Sequence, residues 1–195
     1  MGILRRTSGS MQETELVQAK RRMRQEVREA AAALSEDYRR EASRRIAEQV
    51  LALDAWRRAK VVMAYASLPT EPDTRRIIDG AVAAGKTVLL PLCVSPKDMI
   101  ALPFRGWDAL EPGYLGVLEP CLSETKVVVP EPGLILGPCM AAAADGRRLG
   151  HGRGYYDRFL AEHRAETVCL CFRRLMRDSI PEGKTDRRTG RVISD

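Results

Sequence analysis

Four short apolar runs, each followed or preceded by a stretch with helical spacing, set the fold class. Val61–Ala66, Thr87–Pro91, Leu134–Leu136 and Thr167–Phe172 are rich in Val, Leu, Ile and Cys and too short for packed helices. Such runs suit strands covered on both faces. Between them, residues 14–33 carry Leu16, Met23, Val27 and the Ala30–Ala33 group on one side of a helix. A second helix, Glu36 to Leu53, has Ile46, Val50 and Leu53 as its stripe and Ser35 as N-cap. A third begins near Pro72, which suits a first helical position, and stops at Gly85; a fourth spans Gly154–Glu162. Met99–Phe104 reads as a further strand, Gly106–Pro120 as a loop, and the tail from Pro181 as polar and irregular. Strands alternating with helices predict a three-layer α/β/α sandwich with a mostly parallel sheet. Ligands of such sheets sit at the carboxyl ends of the strands, here the loops after residues 66, 91 and 137.

At 195 residues the chain is expected to form one domain, 14–195, preceded by a disordered segment, 1–13. The longest charge-free stretch, Pro132–Ala144, holds two Pro and two Gly and is too short to span a membrane. Residues 1–10 lack the apolar core of a secretory signal, and Arg6 breaks a myristoylation pattern. Cys93, Cys121, Cys139, Cys169 and Cys171 are odd in number and form no Cys-x-x-Cys pair, which suggests reduced thiols in a cytoplasmic protein.

Lys plus Arg number 32 against 26 Asp plus Glu, a net charge of +6. From Lys20 to Arg45 the basic residues alternate with Glu26, Glu29, Glu36, Asp37 and Glu41 at helical spacing, as solvated helix faces do. Tyr38 alone interleaves them, too little to make a stacking platform for bases, so the run favours a solvent-exposed helix over RNA binding.

The segment Asp145–Arg158 carries the strongest chemical signal. Gly150, Gly152 and Gly154 alternate, which lets backbone approach an anion and turn several N–H groups toward it. A helix beginning beside Gly154 adds its positive end. Arg148 and Arg153 offer planar donor forks for phosphate, and Asp157 is a hard oxygen ligand for Mg²⁺. The spacing is neither a Walker loop nor a dinucleotide fingerprint. From spacing alone, Lys20 and Arg24 read as helix-surface charges, and Glu71 equally as a helix N-terminal acid. Tyr155 and Tyr156 suit a core as well as a site.

Arg148-Leu-Gly-x-Gly-x-Gly-Tyr-Tyr-Asp157 resembles the signature of the 5-formyltetrahydrofolate cyclo-ligase family. Weaker similarities occur in the family's order: Lys20-Arg-Arg-Met-Arg24, Leu34-Ser-Glu, Ala42-Ser43, Tyr65-Ala-Ser-Leu-Pro-Thr-Glu71-Pro, Gly116-Val-Leu-Glu-Pro120, and Pro181 with Asp186. The resemblance implies a CoA-transferase or ribose-5-phosphate-isomerase-like fold. It also implies ATP- and Mg²⁺-dependent cyclisation of 5-formyltetrahydrofolate to 5,10-methenyltetrahydrofolate, with release of ADP and phosphate. By matching, Lys20, Arg24, Arg148, Leu149, Gly150, His151, Gly152, Arg153, Gly154, Tyr155 and Tyr156 would bind ATP. Glu71, His151, Gly152, Arg153, Gly154 and Tyr155 would face the folate, Arg153 and Tyr155 would serve catalysis, and Asp157 and Asp186 would hold Mg²⁺. The expected partners are these small molecules alone, with no nucleic acid or membrane, and the expected state is a cytoplasmic monomer. Cys139, Ala142, Ala143, Leu175 and Gly190 depart from the pattern, replacing Gly, Phe, Asp, Gln and Asp, and Leu115 replaces an aromatic beside Tyr114. These departures leave open a divergent member that binds nucleotide but has lost or changed the ring closure.

Overall fold

The computed structural model describes residues 7–113, 116–122 and 128–195, with side chains from residue 12 onward. The element order begins α1 (Thr7–Ala32), α2 (Glu36–Ala52), α3 (Asp54–Arg58), β1 (Val61–Met63), α4 (Arg75–Ala83) and β2 (Thr87–Cys93). It continues through β3 (Met99–Pro103), β4 (Leu110–Pro112), β5 (Leu118–Pro120), β6 (Leu134–Gly137), β7 (Ala141–Ala142) and β8 (Arg148–Leu149). It closes with α5 (Tyr155–Glu162), β9 (Glu166–Leu170) and β10 (Arg191–Ile193).

Six strands form one sheet in the order β10-β9-β6-β1-β2-β3. Every pairing is parallel except that of the edge strand β3 with β2. The register sets Val62 beside Val88 and Leu134, and Leu136 beside Val168. Leu134, Ile135 and Leu136 are buried in succession, which requires cover on both faces. Alternation sends these residues to opposite layers. Val62, Leu90, Leu134 and Leu136 pack with Val27, Ile46, Val50, Ile77 and Ile78 from α1, α2 and α4. Met63, Leu89 and Ile135 pack with Phe159 of α5, joined by Tyr156 and Leu160. Sheet and two helical layers make the predicted α/β sandwich.

Local chemistry explains where the elements stop. The Ser35 hydroxyl caps α2 by accepting from Tyr38 N at 3.2 Å. On the exposed face of α2 the charges pair with one another, Arg44 with Glu41 and Glu48, Arg45 with Glu41, Arg40 with Asp37. Such exposed pairs contribute little individually.

Four of the differences from the sequence reading stand out. Helix α1 starts at Thr7 rather than at residue 14. Helix α4 starts at Arg75 rather than near Pro72, because side chains claim the preceding backbone. Leu68 N donates to Glu71 Oε2 at 2.9 Å, Asp73 N to Ser43 Oγ at 3.0 Å, and the Thr74 hydroxyl to Tyr65 O. The stretch taken as a loop, 106–120, contains a 3-10 turn and the antiparallel pair β4–β5. The irregular tail ends in a true strand, β10, which extends the sheet beside β9. Tyr114 and Leu115 lie outside the described residues.

Gly146 anchors that tail. Its φ is +88°, and a Cβ there would fall 2.2 Å from Thr189 O. Thr189 N in turn donates to Gly146 O at 2.9 Å. Gly146→Ala therefore adds both backbone strain and a steric clash; a loss of at least about 1–3 kcal/mol is expected in denaturant melts. Ser35→Ala should cost about 1 kcal/mol in the same measurement through loss of the α2 cap.

Candidate active site

A cleft of about 680 Å³ opens at the carboxyl ends of the central strands. Tyr65, Ala66, Leu68 and Glu71 after β1, Pro91 and Cys93 at the end of β2, and Pro138 after β6 line it. These are the loops expected to carry a ligand site. All fourteen residues singled out from the sequence reach this one cleft: Lys20 and Arg24 from α1, Glu71, the run Arg148–Asp157, and Asp186. A second cavity of about 720 Å³ lies between β3, the 120–132 segment and the end of α5, and none of the fourteen lines it.

The glycine loop owes its path to two residues. Gly152 has φ +98° and Gly154 φ +69°, backbone that side chains rarely adopt. A Cβ at Gly152 would meet the Arg24 guanidinium at 3.3 Å, and one at Gly154 would meet Arg158 Nη1 at 2.8 Å. Gly150 needs neither; a Cβ there would meet only Arg148 Nη1, at 3.7 Å. Arg24 lies across the bare backbone and donates from Nε to Gly150 O at 2.9 Å. Burial lowers the Arg24 pKa, which Asp186 opposes. One turn earlier on α1, Lys20 forms an ion pair with Asp186. Both α1 cations thus face the cleft, whereas spacing alone had favoured helix-surface charges.

Arg148 is not an open phosphate fork. Its side chain is 4% exposed, and Nη2 donates to Asp157 Oδ1 at 2.8 Å. Asp157, in the first turn of α5, also accepts from Arg187 N at 3.0 Å, which ties the tail to the helix. Arg148 Nε, Tyr65 Oη and Tyr156 Oη are buried without a hydrogen-bond partner among the described residues. Burial pushes both phenols up, and the nearby charge of Glu71 adds to the rise in each. Leu149 is itself buried, and its carbonyl accepts from Met140 N at 2.8 Å.

At the other end His151 Nε2 lies 3.0 Å from Glu71 Oε1. The Tyr155 hydroxyl donates to Ser95 O at 2.8 Å, and Arg158 holds Lys97 O at 2.7 Å and Arg153 O at 2.9 Å. Helix α5 therefore begins with its first turn fixed and its N-terminus, uncapped by any side chain, beside the glycine loop. Lys20, Arg24, Lys184 and Arg187 bring positive charge to the lining of the cleft, and Tyr65, Pro91, Met99 and Val117 bring apolar surface, with Glu71 and Glu119 also in the lining.

Asp157 and Asp186 bring two hard oxygen donors to the cleft, and the tail bond to Asp157 comes from the residue next to Asp186. Among the described residues no group of three or more His, Cys, Asp or Glu is arranged to hold a metal alone. Two carboxylates completed by phosphate oxygens and water are nevertheless the donor set that Mg²⁺ adopts with nucleotides. The residues fit that cation.

The sequence reading missed Tyr65, Cys93, Glu119, Lys184 and Arg187, all on the cleft wall. Arg187 sat beside Asp186, and Glu119 lay within a quoted motif, but neither carried a sequence signal of its own. Cys139, Ala142, Ala143, Leu175 and Gly190 do not line the cleft. The first four are core residues, with Cys139 Sγ donating to Leu170 O at 3.3 Å. Gly190 N donates to Thr167 Oγ1 at 2.7 Å beside β9.

Among known proteins, a Schizosaccharomyces pombe relative is 34% identical over 124 residues, spanning 62% of this chain and 61% of that protein. The 5-formyltetrahydrofolate cyclo-ligase of Mus musculus is 28% identical over 193 residues, covering 90% of this chain and 93% of that one. The NMR structure of Aquifex aeolicus 5,10-methenyltetrahydrofolate synthetase superposes with a TM-score of 0.76 at 25% identity, over 89% of this chain and 88% of that one. A Mycoplasma pneumoniae 5,10-methenyltetrahydrofolate synthetase shares the fold, with a TM-score of 0.71 at 18% identity, over 90% of this chain and 98% of that one. The 5-formyltetrahydrofolate cyclo-ligase family model matches residues 16–195, and the chain belongs to that family.

Proposed function

We propose that the chain catalyses the ATP- and Mg²⁺-dependent cyclisation of 5-formyltetrahydrofolate to 5,10-methenyltetrahydrofolate, releasing ADP and phosphate. The observation that carries this reading is the lining of the cleft: cations beside a glycine loop, together with apolar residues and carboxylates, share one cavity of about 680 Å³. That is the pairing required by a reaction that joins a triphosphate to a reduced pterin.

The glycine loop, the α5 N-terminus, Lys20 and Arg24 bind the phosphates of ATP through N–H groups and guanidinium or ammonium charge. Asp157 and Asp186 would hold Mg²⁺, which supplies charge neutralisation for the transferring phosphoryl group. The formyl oxygen attacks the γ-phosphorus, the bond to ADP breaks, and the oxygen becomes a good leaving group. N10 then attacks the formyl carbon, the C–O bond breaks with loss of phosphate, and N10 gives up its proton. Arg153, at the mouth of the loop, neutralises charge on the transferring group. Tyr155, held by Ser95 O, fixes the edge against which the folate lies. Glu71 and His151 form the substrate-side pair. The work is mostly positioning and charge compensation.

No helix among the described residues is long and apolar enough to cross a membrane. Action as a monomer is part of this reading, and the free cysteines suit a reducing cytoplasm. The divergent alternative rests on the departures at Cys139, Ala142, Ala143, Leu175 and Gly190, none of which lines the cleft.

Incubation with 5-formyltetrahydrofolate and Mg-ATP should yield the methenyl chromophore together with ADP in equal amounts. ATP binding by calorimetry with no chromophore at high enzyme concentration would instead establish the divergent alternative. Asp186→Asn should lower turnover about 100-fold or more and raise the Mg²⁺ concentration needed for half-maximal rate, with circular dichroism unchanged. Near-normal turnover and Mg²⁺ dependence in that variant would remove the metal assignment.

A further inference from the structure

Both carboxylates assigned to the metal already hold a protein cation, and the two holds differ in kind. Asp157 Oδ1 accepts from Arg148 Nη2 at 2.8 Å and from Arg187 N at 3.0 Å. That arginine side chain is buried and joins β8 to the first turn of α5. Asp186 Oδ2 accepts from Gly183 N and from Lys20 Nζ. Here the cation is a compact ammonium at the end of a flexible four-carbon stem, and it belongs to the lining of the cleft.

The charge of the lining points the same way. Seven of its residues are Lys or Arg and four are Asp or Glu. A cleft of that sign disfavours a bare divalent cation and attracts an anion. A divalent metal bound to a triphosphate is such an anion. One helical turn beyond Lys20, Arg24 donates from Nε to Gly150 O at 2.9 Å in the glycine loop. Two cations on one face of α1 therefore serve the Asp186 carboxylate and the phosphate-binding loop side by side.

We infer that Lys20 is a specificity-determining residue that admits the divalent cation to Asp186 only as its nucleotide complex. Until nucleotide arrives, the ammonium stands on Asp186 in the metal's stead. As the metal–triphosphate complex enters, Lys20 leaves the carboxylate and turns to a phosphate oxygen. Each charge keeps a partner through the exchange, which avoids leaving one bare in the cleft. Arg148 is buried and keeps its place on Asp157. This inference rests on the metal assignment above and adds to it the order in which the ligands come.

Mn²⁺, a spin-visible substitute for Mg²⁺, tests the exchange by direct binding, with no turnover. Without nucleotide, Lys20→Met should bind Mn²⁺ at least about tenfold more tightly than the wild-type protein, because the competing ammonium is gone. Adding Asp186→Asn to that variant should abolish the gain. Lys184→Met removes an exposed charge from the same lining but no bond to Asp186, and should change Mn²⁺ affinity by less than about threefold. An unchanged affinity in Lys20→Met, or an equal gain in Lys184→Met, overturns the inference. Lys20→Gln, uncharged and of similar length, is read in the same way should the methionine variant fail to fold. Failure of the metal assignment itself looks different: the wild-type protein then binds no Mn²⁺ even with ATP, and Lys20→Met binds none without it, so that both readings fall together. Mn²⁺ bound by the wild-type protein with ATP, and no gain in Lys20→Met, removes the exchange alone.

Discussion

Arg148 and Asp157 pin the two ends of the glycine loop to each other. The pair joins β8 to the first turn of α5 at 2.8 Å, and the intervening backbone must bulge toward the cleft to span it. Removing Asp157 would leave the Arg148 guanidinium, 4% exposed, without its ion partner. The loop can therefore be almost bare of side chains and still keep its course, since its path does not depend on packing of its own. Arg24 adds the third support by lying across Gly152 and holding Gly150 O. The glycines give access, and charges outside them give rigidity.

The positive balance of the chain divides into two populations with different uses. On α2 the cations are spent on neighbouring acids along an exposed helix face. On α1 two cations spaced by one turn leave that pattern: Lys20 meets Asp186 and Arg24 meets the glycine loop. Net charge by itself does not separate these cases. What separates them is which face of each helix is turned toward the carboxyl ends of the strands.

Much of the fold was legible because the β strands at the centre of the sheet are buried on both sides and so read as unbroken apolar runs. β1, β2, β6 and β9 belong to this class. β10 did not stand out because its three residues become a strand only by lying beside β9, a pairing remote in sequence. The start of α4 was misplaced because Pro72 suits a helix locally, whereas Glu71, Asp73 and Thr74 direct the backbone elsewhere through contacts with Leu68, Ser43 and Tyr65. In the site, the glycine segment announced itself through spacing and through resemblance to a family. The inward turn of Arg148 did not, because an arginine bound to phosphate and one bound to a carboxylate look the same in a string of letters.

The ion pair of Lys20 with Asp186 brings together residues 166 positions apart. One lies on the opening helix, and the other directly precedes Arg187, which bonds Asp157, and Thr189, which bonds Gly146, follows shortly after. The cavity is thus sealed by a seam between the early and late parts of the polypeptide. While the ribosome is still making the central sheet, that side of the chamber is open. The cleft is completed only when the closing segment emerges and folds back, so a prematurely terminated product would lack its full lining.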